Sequence, residues 1–424
     1  MRACLAGVVA IISVAHTVRA DDGSLTLEQA VQLALAHNER AGIAELNVEV
    51  AIGGVDKARV AFLPVLAAAG NNQYSPWDKS PHDVTKGSLT LSQPLIAPSA
   101  FPLYDQAKNT LEGERAQTAD DKRQLAFDTA KAYLAVLLAD QVVQAAQKKL
   151  ETAKAEVKAT DAQFKAKIVS SNDTTRAAID LANSQHEVSA DQGSLDASYV
   201  SLDFLIAGKA SRPLVVPQQL LAASEQPVGN VEQIVAASIK ARPDLAAKKS
   251  LAVAAHDFAR EPRYRFFPTL GVAATMNAQS TKLQSDNYYL DGSVALTASW
   301  TIYDAGSRAA DARTRDAQAA IADLTADMLA REVDEQVRAA VVQLAASQAA
   351  LVAARDAMTQ AQKSATEEAI LYSQGLATAL ELVDANESRF LAEVQFAEDQ
   401  YSLANTYLAL LQAMGKGPLD PETP

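Results

Sequence analysis

The segment GLATALELVDANESRFLAEVQFAEDQYSLANTYLALLQAM, residues 375–414, decides the fold. Steps of four and three from Leu376 land on Leu380, Val383, Glu387, Phe390, Val394, Ala397, Tyr401, Ala404, Leu408 and Leu411, and only Glu387 breaks the apolar stripe. That spacing is a coiled-coil seam, held here for about five heptads. Upstream, Val337, Val341, Leu344, Leu351 and Met358 lie on a similar stripe, and no proline interrupts residues 304–414. The pattern predicts two long helices meeting near Gly375, each about 60–100 Å at ~1.5 Å per residue.

The rest of the chain reads as a second copy of this pair with strands attached. Glu28-Gln29 recurs as Glu232-Gln233, and Phe62-Leu63-Pro64-Val65-Leu66 as Phe266-Phe267-Pro268-Thr269-Leu270, both at an offset of 204. Leu89-Thr90 and Ser92 recur as Leu296-Thr297 and Ser299, and Lys131-Ala132 as Arg338-Ala339, at 207. Self-similarity of this kind marks internal repeats. Each half reads helix, strand, strand, long helix, long helix. In the first half Val136, Val143, Leu150, Val157 and Phe164 stand seven apart, and Leu181, Val188, Leu195 and Leu202 mark the returning helix. A seven-residue period kept this long implies a left-handed supercoil. The expected divisions are a leader over 1–20, a first repeat over 21–208, a connector over 209–228, and a second repeat over 229–424 ending in a flexible tail.

Pro64 and Pro268 each end a helix and open an extended segment. After them Val272, Ala274 and Met276 alternate with Ala273, Thr275 and Asn277, and Leu290, Val294 and Leu296 alternate with Asp291, Ser293 and Thr297. Leu89 and Leu91 alternate with Ser88, Thr90 and Ser92. Polar stretches at 71–86 and 279–288 read as the loops between strands. Half-buried hairpins and lipid-facing barrel strands share this alternation. Counting separates their consequences. Four strands cannot close a membrane barrel, and lipid tolerates no open sheet edge. If the strands span a membrane, several chains must share one barrel, with two chains giving eight strands and three giving twelve.

Met1–Ala20 has the form of a secretory leader: Arg2, an apolar run over 3–15, then Val18-Arg19-Ala20 before Asp21-Asp22. Its removal takes away Cys4, the one cysteine, so no disulfide is expected in the mature chain. The formal charge is -13 before Arg2 and Arg19 are lost, which argues against a nucleic-acid partner. No later stretch reads as a transmembrane helix. The histidines at 16, 37, 82, 186 and 256 are scattered, and phosphate-loop, nucleophile-elbow and zinc motifs are missing, so the sequence points to neither an enzyme nor a cofactor.

The ordered set of motifs resembles the TolC family of outer-membrane efflux proteins across nearly all of the mature sequence. The resemblance rests on the two halves and the Phe-x-Pro openings. It also rests on Leu89-Thr90-Leu91-Ser92-Gln93-Pro94-Leu95 with its counterpart Trp300-Thr301-Ile302-Tyr303-Asp304-Ala305-Gly306, and on Tyr372-Ser373-Gln374-Gly375-Leu376-Ala377-Thr378 at the helix junction. It implies a mainly α fold with a small β part: a homotrimer whose long antiparallel helices form a periplasmic α-barrel below a shared twelve-stranded barrel in outer-membrane lipid. It further implies an exit duct that docks a periplasmic adaptor (membrane fusion) protein and an inner-membrane transporter, in a tripartite efflux or type I secretion system. Two departures stand out. Ala97-Pro98 replaces the family's usual Asp-Gly, and Lys167 stands where a glycine matching Gly375 is usual.

Adaptor contact is expected at the two tips, from Lys167, Ile168, Val169 and Ser170 and from Gly375, Leu376, Ala377 and Thr378, because loop tips on a rigid scaffold commonly carry binding. Glu381 and Asp384 are three apart on one helix, so their carboxylates share a face beside the stripe. The resemblance places them at the periplasmic constriction, where symmetry turns each into a ring of charges. By the same resemblance Asp173 and Tyr372 hold the tip closed, while the family's arginine is replaced by Ala377. A competing reading from another class is a soluble periplasmic coiled-coil adaptor or structural spacer; it accounts for helices and secretion but not for proline-opened strand pairs at matching places.

Overall fold

The computed structural model describes residues 24–77, 82–282 and 286–420. The expected leader with Cys4, and the end of the expected tail, lie outside the described residues.

The chain opens with α1 (Leu27–His37) and α2 (Glu39–Arg59), joined at Asn38, which caps α2 and hydrogen-bonds the Leu205 carbonyl at 2.9 Å. A 3-10 turn over Val60–Phe62 ends the helix before Pro64, and β1 (Val65–Ser75) and β2 (His82–Ile96) follow. Then come α3 (Ala100–Lys165), α4 (Ser171–Leu205) and the short α5 (Gln218–Ser224). The order recurs in α6 (Val231–Ala241), α7 (Pro243–Tyr264), β3 (Thr269–Lys282), β4 (Asp286–Ser299), α8 (Ser307–Ser373) and α9 (Ala379–Ala413). Two helices, not one, therefore precede each strand pair, since Asn38 and Arg242 break the helix and start another. With 66 and 67 residues, α3 and α8 are each about 100 Å long, whereas α4 and α9 reach only about 50 Å.

Each long helix is packed in two stretches. Near the sheet α3 and α8 carry α2 and α7; beyond, they pair with α4 and α9. Burial repeats along the long helices: Leu125, Thr129, Val136, Val143 and Ala146 are buried in α3, and Val333, Val337, Leu344, Leu351 and Ala354 in α8, each 208 residues on. The identities that align Lys131 with Arg338 are thus one residue out of step with the packing. The main core sits midway along the helices, where Tyr133, Leu134, Leu202, Leu344, Tyr401, Tyr407 and Leu408 meet. There the Tyr133 hydroxyl lies 2.8 and 2.6 Å from the carbonyls of Leu25 and Val215, fixing both connecting segments.

Two expectations about the seams are corrected. Toward the tips Leu376 and Leu380 are exposed and Leu382 and Ala385 are buried instead; in α3, Leu150 and Val157 are half-buried and Phe164 exposed, while Lys149, Ala153, Glu156 and Thr160 are buried. In α9 this is the drift of about 20° per heptad of a straight helix against a seven-residue repeat; in α3 Ala146, Ala153 and Thr160 keep the seven-residue spacing, so there the buried face is offset from the expected stripe. Contrary to expectation, α8 contains a window long and apolar enough to cross a membrane by length and composition. That window is rich in alanine, and α8 packs along α7 and α9.

Candidate functional site: the sheet and the helix tips

The strands form one antiparallel sheet in the order β1-β2-β3-β4, so β2 and β3 join the two halves of the chain. The strands have 11, 15, 14 and 14 residues, and a tilted strand of about 9–11 crosses a bilayer. They extend over most of the stretches expected to be loops, because the backbone ladder continues where side chains turn polar; Asn72 donates to Thr85 Oγ1 at 2.9 Å in that part. The register sorts the faces. Leu66, Leu91, Ala274 and Val294 stand in one row and Ala68, Leu89, Met276 and Gly292 in another. The opposite face carries Ala67, Thr90, Thr275 and Ser293, then Ala69, Ser88, Asn277 and Asp291. Polar groups bond along that face, with the Thr90 and Thr275 hydroxyls 3.4 Å apart and Asn277 donating to Asp291 at 3.2 Å. The apolar face is exposed. Aromatic side chains gather at both ends of the strands: Phe266, Phe267, Trp300 and Tyr303 toward the helices, and Tyr74, Trp77 and Tyr289 at the far end.

The corners between sheet and helix are stitched in related ways. Gln93 donates to the Phe62 carbonyl at 3.1 Å, and Trp300 Nε1 to the Phe266 carbonyl at 3.0 Å. The second corner has an additional clamp. Buried Arg308 bonds Asp304 at 2.7 Å and the Arg265 carbonyl at 2.9 Å, and stacks over Phe266. At the corresponding first corner, Ala97-Pro98 and Ala100 offer no such cation, so the departure seen in the sequence is a structural one.

The tips also match one another. In the first, Lys167 takes a left-handed φ of 62°; its N–H donates to Phe164 O and that of Ile168 to Gln163 O at 2.9 Å. In the second, Gly375 has φ 74°; its N–H donates to Tyr372 O and that of Leu376 to Leu371 O at 2.9 Å. Both are Schellman endings, and Lys167 does the work of a glycine despite its Cβ. Ser170 and Thr378 then cap α4 and α9, each in a capping box closed by Asp173 and Glu381. Asp173 accepts from Ser170 N at 2.9 Å and Ser170 Oγ at 2.8 Å; Glu381 accepts from Thr378 N at 2.7 Å and Thr378 Oγ1 at 2.9 Å. These bonds hold both carboxyls below their usual pKa: for Asp173 the Ser170 hydroxyl leads, for Glu381 the Thr378 amide.

Within one chain, then, Asp173 and Tyr372 are not brought together. Asp173 serves its own helix start, and Tyr372 donates to Gln163 Oε1 at 3.0 Å with Thr160 Oγ1 at 3.4 Å, tying α8 to α3. Glu381 is turned back onto Thr378, while Asp384 is exposed one turn further along. Of the residues expected to meet an adaptor, Ile168 and Leu376 project apolar side chains into solvent at equivalent places, and Val169 and Ala377 are half-buried.

A cluster that the sequence reading passed over lies about two dozen ångströms up the hairpin by helix rise. Lys149 of α3 is buried and pairs with Glu187 of α4 at 2.8 Å and with Glu387 of α9, with the Phe390 ring 4.5 Å from its Nζ. Burial by itself lowers the lysine's pKa, but its bonds to Glu187 and Glu387 more than reverse this and hold the ammonium charged. Two turns along α3, Glu156 is buried with Oε1 unpartnered, and burial, aided by the charge of Asp180, raises its pKa to about 7. The one visible clue was Glu387, the charge interrupting the α9 stripe.

An exposed apolar strand face with aromatic ends, carried on helical hairpins about 100 Å long, is the architecture of a membrane-inserted channel subunit. The family model described as outer membrane efflux protein matches residues 30–208 and 235–416. The chain belongs to that family and is an outer-membrane protein. No curated protein matches it. Its fold is similar to the Campylobacter jejuni CmeC outer membrane channel, at TM-score 0.75 and 16% identity over 92% of this chain and 85% of that one. It is also similar to the open state of the Neisseria gonorrhoeae MtrE outer membrane channel, at 0.76 and 20% over 94% and 90%. The Vibrio cholerae outer membrane protein VceC gives 0.73 and 17% over 92% and 96%.

Proposed function

We propose that three copies of this chain form a passive exit duct in the outer membrane, the channel component of a tripartite efflux or type I secretion system. The observation that carries this reading is the open sheet. β1 and β4 each present an unpaired edge beside an exposed apolar face, which lipid does not tolerate. Pairing β1 of one copy with β4 of the next removes every edge, and three copies make a twelve-stranded barrel lined by the Thr90, Thr275 and Ser293 face. The two halves are then tandem repeats, and the hairpins form an α-barrel in the periplasm. A soluble spacer has no use for strands of bilayer length with apolar outer faces. Mass measurement of the detergent-solubilised particle should give three chains; a monodisperse monomer without detergent refutes both trimer and barrel.

The tips supply the partner surface and the gate in this reading. Ile168 and Leu376, framed by Lys167, Val169 and Ser170 and by Gly375, Ala377 and Thr378, meet the hairpin of an adaptor that recruits the inner-membrane transporter. A bulky residue at Leu376 or Thr378 should abolish efflux at unchanged trimer yield. Asp384, with Glu381 behind it, forms rings of like charge that a cation stabilises. Glu381→Gln with Asp384→Asn should therefore lower cation selectivity and block by trivalent cations in planar bilayers. Tyr372→Phe with Asp173→Asn should raise the conductance of the closed channel, the first by releasing Gln163 and the second by weakening the α4 cap. Unchanged conductance removes this pair from the latch.

A further inference from the structure

At the second corner, where α7 and α8 meet below the sheet, cations are answered by acids. Arg263 donates to both oxygens of Asp316, at 2.9 and 2.7 Å, and Arg265 pairs with Asp311 at 2.8 Å. The correspondence between the halves identifies what stands at the first corner. A shift of 204 carries Arg59 of α2 onto Arg263. A shift of 208, the one that aligns the buried positions of α3 and α8, carries Lys108 onto Asp316. The same two shifts carry Lys57, Ala61, Leu103 and Ala107, which line one groove between α2 and α3, onto Glu261, Arg265, Asp311 and Arg315, which pair between α7 and α8. The two helix pairs are thus equivalent here. Lys108 presents a cation to Arg59 where Asp316 presents a carboxylate to Arg263.

Both side chains are exposed, and among the described residues neither pairs with a carboxylate. Asp56 and Asp105 precede them by three residues without closing an ion pair, and Glu112 is taken by Arg115 at 2.7 Å. Lys108 Nζ lies 4.4 Å from the centre of the Tyr104 ring, and Tyr104 packs edge-on against Phe62, which also meets Phe101 at 5.1 Å. The cations therefore stand beside an aromatic ledge, of which Phe101 is 55% exposed. The ledge has a definite place. Lys108 is eight residues beyond Ala100, where α3 begins, and so about 12 Å from the foot of the strands. In steps of three and four its face of α3 leads to Ala126, Ala130 and Tyr133, which α1 and the connecting segments cover. Elements layered on the helices fit only outside a closed tube, so this face looks outward, beneath the membrane.

We infer that Arg59 and Lys108 bind the phosphate of an anionic phospholipid in the periplasmic leaflet of the outer membrane, with Phe101 against its glycerol and acyl part. The inference rests on the membrane-inserted ring proposed above and adds one lipid site to each copy. Two like charges repel until an anion lies between them, and a phosphate accepts hydrogen bonds from both. The occupant is a lipid because the charge is joined to an exposed aromatic ledge close under the lipid-facing strands. Long Arg and Lys stems lie along such apolar surface while their charged heads reach up toward the headgroups. Free phosphate would use the cations and leave the ledge bare. The second corner has no such site, since Asp316 already occupies Arg263. Lipid binding is thus confined to the first corner of each copy.

Native mass spectrometry of the delipidated particle in detergent, titrated with phosphatidylglycerol, tests the site. One tightly held lipid per chain should bind, in preference to zwitterionic phosphatidylcholine. Arg59→Gln with Lys108→Gln should weaken this binding about thirtyfold. Lys154→Gln with Lys158→Gln, which removes two charges far down α3, should leave it unchanged. Lys108→Asp restores the ion pair of the second corner and should abolish lipid retention at unchanged particle yield, which separates loss of the site from loss of folding. Equal retention by wild type and by the Arg59→Gln, Lys108→Gln variant overturns the site. Displacement of the lipid by inorganic phosphate at equal concentration overturns the lipid as its occupant. A particle that stays dispersed without detergent overturns site and barrel together, whereas a three-chain particle that binds no lipid overturns the site alone.

Discussion

Glu156 makes the α3–α4 hairpin sensitive to pH, by an amount that can be worked out. The residue is 7% exposed, its Oε1 has no partner, and its pKa is raised from 4.5 to about 7. The charged groups around this seam are Lys149 two turns back on α3, Asp180, Glu187 and Asp191 on α4, and Glu387 on α9. Burial also raises Asp180 and Asp191, and Arg389 of α9 adds a second cation, donating to Thr152 Oγ1 at 3.3 Å. The sign follows from the direction of the shift. The folded hairpin holds a proton that an opened one releases, so packing is unpenalised below pH 4.5, weakens as pH rises from there to about 7, and stays weakened above. At ~1.4 kcal/mol per pKa unit, the rise from 4.5 to about 7 corresponds to about 3.5 kcal/mol for opening the hairpin locally. Glu156→Gln keeps the shape and removes the ionisation. Hydrogen exchange of α3 and α4 amides in the detergent-held protein should show protection in the variant about three hundredfold above wild type at pH 8, converging toward pH 5. A ratio that does not change between the two pH values refutes the reasoning, because it leaves no proton linked to the seam.

Three further outcomes are expected. Lys149→Met leaves Glu187 and Glu387 facing each other. Removing one partner of a fully buried pair costs about 3–5 kcal/mol and of an exposed pair about 0–1, so these half-exposed acids imply about 2 kcal/mol, read as a lower thermal midpoint that falls further as pH rises. Lys167→Gly relieves a left-handed backbone and should stabilise the first tip by about 0.5–1 kcal/mol, while Gly375→Ala should destabilise the second by a similar amount; equal effects of both would contradict the shared geometry. Met276→Arg on the apolar strand face should lower barrel stability by about 2–4 kcal/mol in refolding titrations, whereas Thr275→Arg on the other face should not; the reverse order would invert the sheet.

Most of the architecture was legible in the sequence because it depends on long periods. The stripe from Leu376 to Leu411, the prolines at 64 and 268, and the 204-residue recurrence each average over many residues. The helix pair, the strand openings and the order of strands and long helices follow from them, but not the breaks at Asn38 and Arg242 that put two helices before each strand pair. Register within the seam was not legible, because a pattern of steps of four and three cannot say where drift moves the buried face. Leu376 and Leu380 were therefore expected in the seam that Leu382 and Ala385 fill. The tips show a related limit. Lys167 reads as a departure from glycine, yet its backbone takes the conformation of Gly375, since the Schellman bonds from Lys167 and Ile168 compensate the strain of its Cβ.

The acids at the tips carry the same lesson into function. From the sequence, Glu381 reads as part of a charge ring by its spacing from Asp384, and Asp173 as part of a latch by the resemblance. In the structure each is the third residue of its helix and closes a capping box with Ser170 or Thr378, which a hydroxyl three residues ahead of an acid could have signalled. Neutralising either therefore weakens a helix start as well as any field in the lumen. Asp384 has no such duty. If a charge ring sets cation selectivity, Asp384→Asn alone should reproduce most of the change seen in the double variant without shifting the thermal midpoint, and Glu381→Gln alone should lower that midpoint by about 1 kcal/mol of cap energy. A selectivity change that follows Glu381→Gln and not Asp384→Asn would show that tip geometry, rather than charge at the ring, controls passage.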